Sequence, residues 1–277
     1  MSLPILQVQQ PQATEADLVR LFHRTDALWV QHLAEAEQLP VGTAYLNPSL
    51  PNVWDANHVR DAALSDGLTA RQAYDGVTTH YAARRVRCAF WVMNPSAPSA
   101  QTQPLIDHLL AAGHGVHREA IFYLRHQPRR DAYDAPGLKI IPARASYRHS
   151  RELAEELVAE VAHGDPQVME ARLQHLDDPH YDVLLALRDG RAVGTVGVFA
   201  AGELAQIQEV YVSPTARRQG VAKTLMTRAL EACARAQFRH VFLTVLPDNV
   251  AAKALYAGFG FEKLADVTHY RAPASAR

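Results

Sequence analysis

The chain has 277 residues, 48% hydrophobic and 21% charged, which allows two buried cores and argues against disorder. Its formal net charge of -1, with 14 histidines neutral, lacks the basic excess expected of a nucleic-acid or membrane-surface binder. Residues 1–12 lack a basic start followed by an apolar run, no stretch reaches the length of a membrane span, and Cys88 and Cys233 lie far apart in apolar segments. A cytoplasmic protein with two buried free thiols is expected.

In chain order, the first half reads as a helix over 15–38, a short strand over 42–45 and a loop through Asn47-Pro48 and Leu50-Pro51-Asn52. A helix over 69–84, a strand over 86–92, a helix over 103–112 and a strand over 116–124 follow. Residues 125–137 are polar, carry Pro128 and Pro136 and end in Gly137, the composition of a linker. The expected division is therefore 1–128, a linker over 129–137, and 138–277.

The second half opens with a strand over 138–142. A helix over 150–162 follows, with Ser150 as N-cap and Leu153, Leu157 and Val161 on one face. A short helix over 166–176 starts at Pro166. Strands over 181–187 and 192–200 flank Arg188-Asp189-Gly190-Arg191, whose Asp-Gly pair suits a tight hairpin. A strand over 204–212, a long amphipathic helix over 219–236, a strand over 241–245, a helix over 249–257 and a strand over 261–270 complete a mixed α+β order.

The halves carry a repeat. Ala112-Gly113-His114-Gly115-Val116 aligns with Ala257-Gly258-Phe259-Gly260-Phe261, and Val86-Arg87-Cys88-Ala89-Phe90 sits over Phe238-Arg239-His240-Val241-Phe242. Element order and local sequence agree, so duplication is the better reading.

Two stretches carry chemistry. The run 209–222 goes from a strand through a turn at Pro214 into a helix near Gln219. Arg217 and Arg218 lie beside the turn, and Gly220 stands where backbone can approach a ligand closely. Free N–H groups at a helix start beside arginines form a diphosphate site, although the same residues also suit an ordinary exposed turn. The run 242–261 is strand, loop, helix and strand, with Asn249 as a helix N-cap and Tyr256 two turns later on the same face.

Together these stretches resemble the GNAT family of N-acetyltransferases. Arg217, Gly220 and Ala222 match its Gln/Arg-x-x-Gly-x-Gly/Ala loop. Asn249, Ala252, Leu255, Tyr256, Gly260 and Phe261 match its later Asn-x-x-Ala-x-x-Leu-Tyr-x-x-x-Gly-Phe segment. The resemblance covers about 138–270 and implies two tandem acyl-CoA N-acyltransferase domains packed through their sheets, each a mixed, mostly antiparallel sheet flanked by helices. It further implies acetyl-CoA as co-substrate, held by Val210, Tyr211, Val212, Arg217, Arg218, Gln219, Gly220, Val221, Ala222, Lys223 and Asn249. An amine would attack directly through a tetrahedral intermediate, with Tyr256 protonating the departing thiolate.

Some family members carry a glutamate where this chain has Thr244, so Glu209 is the substitute base; it equally suits a solvated carboxylate or an arginine partner. Tyr256 in turn suits a half-buried packing role. In the first half, Ser65, Asp66 and Leu68 stand opposite Arg217, Arg218 and Gly220, and Ala111 opposite Tyr256, which implies a degenerate half without cofactor loop or acid. No metal is expected, because His114 and His117 sit three apart on a strand and point to opposite faces. Trp91 is expected in the core, and Trp54 in a loop that could reach a ligand. The acceptor stays open between a small-molecule and a peptide amine, including a thiol-precursor amine as for mycothiol synthase, a tandem member of the family. A non-catalytic acyl-CoA-binding module is the other reading. A monomer (a pseudo-dimer of tandem domains) or a homodimer is expected.

Overall fold

A computed structural model describes residues 13–125 and 133–273; residues 129–132 of the expected linker lie outside the described residues. The first half contains α1 (Glu15–Val30), β1 (Glu35–Leu39), β2 (Gly42–Leu46), β3 (His58–Ala62), α2 (Ala70–Ala82), β4 (Phe90–Met93), α3 (Ser99–Ala111) and β5 (Gly115–Leu124). The second contains β6 (Lys139–Pro142), α4 (Tyr147–Ala162), α5 (Pro166–His175), β7 (Tyr181–Arg188), β8 (Arg191–Ala201) and β9 (Leu204–Val212). It closes with α6 (Val221–Arg235), β10 (His240–Val245), α7 (Val250–Ala257) and β11 (Phe261–Arg271).

The strands form one 11-stranded sheet in the order β1-β2-β3-β4-β11-β5-β10-β9-β8-β7-β6. The two halves exchange their last strands. β11 pairs antiparallel with β4 of the first half, and β5 pairs antiparallel with β10 of the second. β5 and β11 then pair with each other at the centre. Under the repeat alignment that sets Gly113 on Gly258, the pairs Ala120–Asp266 and Ile121–Ala265 map onto one another. A pseudo-two-fold axis therefore passes between them. Each half also contains one parallel pair, β3 with β4 and β9 with β10. Duplicated element order and symmetric pairing agree with the repeat read from sequence. The sheets are fused edge to edge, so the interface is backbone hydrogen bonding as much as side-chain packing.

Helices α2, α3, α6 and α7 cover one face, on residues such as Trp91, Phe122, Val196 and Leu243. The other face carries α1, α4 and α5. There Leu18 and Phe22 of α1 pack on Phe90, Ile121, Phe242 and Val267 from both halves. Trp29 of α1 continues onto Tyr181 and Phe199 of the second half.

Several local expectations change. The helix expected to reach residue 38 ends at Val30, because Glu35–Leu39 finds backbone partners in Gly42–Leu46. Gly42 holds φ 152, and a Cβ there would stand 2.5 Å from the Arg60 carbonyl. β3 has no counterpart in the sequence reading. Its His58 and Arg60 are polar yet buried, which erases the alternation that marks a strand. The strand expected from residue 86 starts at Phe90, since Val86 donates to Tyr81 O to close α2. Ser150 lies inside α4, its hydroxyl donating to Ala143 O at 3.0 Å, and Ser146 precedes the helix. The buried stripe runs Leu153, Leu157, Val158, while Val161 is 60% exposed. The Asp189-Gly190 hairpin forms as expected, both residues at positive φ. Trp91 is core. Cys88 and Cys233 are buried and free, and burial pushes both thiols up to about 12. Among the described residues, no helix is long and apolar enough to cross a membrane.

Candidate active site

β9 and β10 run parallel but pair only over Leu204, Ala205 and Gln206 against His240, Val241 and Phe242. Beyond Gln206 they part. β10 pairs Phe242–Val245 with β5, and β9 stays with β8. A parallel pair that diverges leaves backbone donors and acceptors on its facing edges. β9 is bent further at the same place. Its register against β8 shifts so that Glu209 and Val210 stand opposite Val196 alone, with Glu209 at φ 53. Such a bulge re-aims the backbone next to the opening.

Past Val212 the chain turns through Pro214–Ala216 and enters α6. Arg218 and Gly220 have φ 65 and 80, and Gly220 caps the helix with no side-chain hydrogen bond. Among the described residues the first-turn amides of α6 thus have no side-chain acceptor, which is the condition for an anion site. The equivalent helix of the first half is closed. Thr69 and Gln72 form a reciprocal capping box at the start of α2. The two helix starts thus differ: a cap side chain takes up the Gln72 amide of α2, and Gly220 offers none at α6.

The expected site residues divide into groups. Val210 and Val212 pack on the α6 face beside the opening. Tyr211 points to the other face, where its hydroxyl donates to Glu160 at 3.1 Å; burial and that carboxylate push the phenol up. Arg217 turns back from the opening. It donates to Val212 O at 3.0 Å and to both oxygens of Glu160 at 2.7 Å, tying the turn to α4. Gln219 donates to Thr215 O and accepts from Arg188. Val221 is core, Ala222 half-buried. The Lys223 Nζ stands 3.9 Å from the centre of the Tyr133 ring. That same phenol lies over Gly220, where a Cβ would come within 2.6 Å of its oxygen. Asn249 caps α7, accepting from the Ala252 amide at 3.0 Å.

Tyr256 is buried with Val221, Leu243 and Val245, so it joins the start of α6 to the end of β10. Its ring meets Phe261 edge-on at 6.2 Å, and its hydroxyl makes no hydrogen bond among the described residues. Burial pushes its phenol up to about 12. The Glu209 carboxylate is engaged on both oxygens, by Arg172 of α5 and by the Tyr181 hydroxyl, which donates at 3.2 Å. This is the arginine-partner arrangement, and Arg172 and Tyr181 carried no signal in the sequence that tied them to it.

Residues missed in sequence lie on the α1 side of the same opening. Gln208 and Thr244, one from each parting strand, line a cavity there with Asp26, Asp55, His58, Arg60 and Glu119. His117 pairs not with His114 but with Glu119 and His269, whose ligand atoms all lie within 4.8 Å of one another and could hold a cation. Trp54 is exposed beneath the Arg271 guanidinium at 4.6 Å.

The acetyltransferase (GNAT) family model matches residues 148–261, the span containing the parting strands, the bulge and the α6 start. By that match, residues 148–261 are similar to the GNAT family. A Bacillus subtilis (strain 168) protein with the provisional description ribosomal protein bS18-alanine N-acetyltransferase is 31% identical over 87 residues, 31% of this chain. The chain spans 58% of that relative's length. A GCN5-related N-acetyltransferase from Kribbella flavida has a TM-score of 0.66 at 16% identity, covering 96% of this chain and 98% of its own. A tandem GNAT protein from the clavulanic acid biosynthesis pathway has a TM-score of 0.54 at 17% identity, covering 91% and 96%. At these identities the two structures establish the tandem GNAT fold across both halves.

Proposed function

We propose that the chain is an acetyl-CoA-dependent N-acetyltransferase with one active site, in the second half, and a first half that keeps the fold without a cofactor cradle. The observation that carries this reading is the three-pair β9/β10 contact, which opens at the Glu209 bulge directly before an uncapped helix start. The residues present fit the co-substrate. Amides of 218–223 would hold the diphosphate, with Arg218 and Lys223 supplying charge. Backbone N–H groups of 210–212 would face the acyl oxygen and stabilise negative charge there.

When bound, acetyl-CoA supplies an acetyl group activated as a thioester, which an amine takes by direct attack as the C–S bond breaks. Tyr256 donates its O–H toward the sulfur. Glu209 is the proposed acceptor of the amine proton, and its pairing with Arg172 makes it a weak one. Asp55, which lines the cavity on the α1 side with Asp26 and Glu119, is the alternative on the acceptor side. Glu209→Gln and Asp55→Asn separate the two.

Calorimetry with acetyl-CoA tests the central claim. Gly220→Asp, placing bulk and negative charge at the α6 start, should abolish binding. Unchanged affinity in the folded variant would move the site elsewhere.

A further inference from the structure

We infer that the cavity on the α1 side of the opening is the acceptor site, and that it takes a small primary amine that also carries hydroxyl or carbonyl groups, recognised by side chains of the first half. The inference rests on the acyl-CoA site proposed above. The cavity measures about 120 Å³ and is walled by α1, β3, β5 and β11, with Gln208 and Thr244 at the parting of β9 and β10. An amine seated there lies on the opposite side of the sheet from α6 and faces the same opening.

The lining chemistry selects the class. Asp26, Asp55 and Glu119 face the cavity with Arg60 as the one arginine of its wall. Arg60 is spoken for by Asp26 at 2.7 Å, and Gln206 donates to the same carboxylate at 3.2 Å. Asp55 stands at the solvent-exposed mouth. Asp26 and Glu119 line the same cavity, so negative charge is crowded there and an ammonium group would relieve it. His58 stays neutral, because burial and Arg60 push its pKa well down.

A charged amine alone would leave much of the wall unmatched. Both ring nitrogens of His58, Nη2 of Arg60 and Oε1 of Gln206 have no hydrogen-bond partner among the described residues. These residues are 0%, 3% and 1% exposed, so bulk water does not serve them in place of a ligand. They offer at least two donors and at least one acceptor, which hydroxyl or carbonyl groups would complete. The volume suits a molecule of about amino-acid size, or on the order of eight waters. Phe22 and Trp29 of α1 supply apolar parts of the lining.

The test uses the full chain. Calorimetry first establishes acetyl-CoA binding. Coenzyme A release is then measured with 2-amino-1,3-propanediol, glycinamide, propylamine and tri-alanine as acceptors. The polyfunctional small amines should react with KM at least about 10-fold below that of propylamine, the scale of a charge-assisted hydrogen bond gained. Asp55→Asn should raise that KM about 10-fold and leave the acetyl-CoA Kd unchanged; Glu119→Gln should do the same from the opposite wall. With acetyl-CoA bound, preference for tri-alanine, equal use of propylamine, no turnover of any acceptor, or an unmoved KM in both variants overturns the inference. Absence of acetyl-CoA binding overturns the acyl-CoA site itself, and this inference with it.

Discussion

Tyr256→Phe is the sharpest probe of the chemistry, because burial changes what the hydroxyl can do. The phenol is pushed up to about 12, whereas a thiol lies near ~8.5. Complete transfer of the proton to the departing sulfur is then uphill by roughly 3.5 pKa units, about 5 kcal/mol. An intact phenol donating a hydrogen bond to the developing thiolate contributes ~1.5–3 kcal/mol, or about 10- to 150-fold in rate. Phenylalanine keeps the ring and its edge contact with Phe261, removing only the O–H. The expected result is a loss of that size in a single-turnover acetyl-transfer assay by rapid quench, with the acetyl-CoA Kd unchanged by calorimetry. A wild-type single-turnover rate would refute any chemical role. A loss beyond about 10³-fold would refute the hydrogen-bond assignment and show full general-acid transfer.

Three further outcomes are expected. Tyr133→Ala should tighten acetyl-CoA binding about 2- to 5-fold, since the diphosphate no longer displaces the phenol over Gly220 and its ~0.5–1 kcal/mol contact with Lys223; calorimetry reads it. Gly197→Ala should destabilise the fold by about 1–3 kcal/mol in urea unfolding, because its Cβ would fall 2.0 Å from the hydroxyl of buried Tyr181. Acidification from pH 7 to 5 should destabilise the protein. His175 and His269 are held down to about 3 by burial, below the ordinary 6.5, so the unfolded chain binds more protons as pH falls. Each contributes about 2 kcal/mol of loss over that interval, and Asp55, shifted the other way, offsets part; equal urea midpoints at the two pH values would refute this.

Much of the second half was legible because its signals are local. The Asp189-Gly190 turn, the Asn249 cap and the Gly220 helix start each depend on residues a few positions away. Their order in the chain places a strand end, a turn and an uncapped helix together whatever the remainder does. The first half was harder to read for the opposite reason. Its β3 strand carries His58 and Arg60 toward a cavity, so polarity no longer reports exposure, and Glu35–Leu39 follows its hairpin partner rather than the helical pattern.

The sequence by itself determined the duplicated element order, the α+β class and the segment that resembles GNAT proteins, since periodicity, turn residues and motif spacing are properties of contiguous chain. Only the tertiary structure decided that β5 and β11 trade places across a pseudo-two-fold axis. It also decided that Arg217 grips Glu160, that Arg172 and Tyr181 hold Glu209, and that Asp26, Asp55, His58, Arg60 and Glu119 face one cavity. Arg217 and Glu160, Arg172 and Glu209, and Asp26 and Glu119 each lie tens of residues apart in the chain. Which strand edge meets which, and which buried charge finds its counter-charge, is settled when the whole sheet closes and desolvation is shared across it.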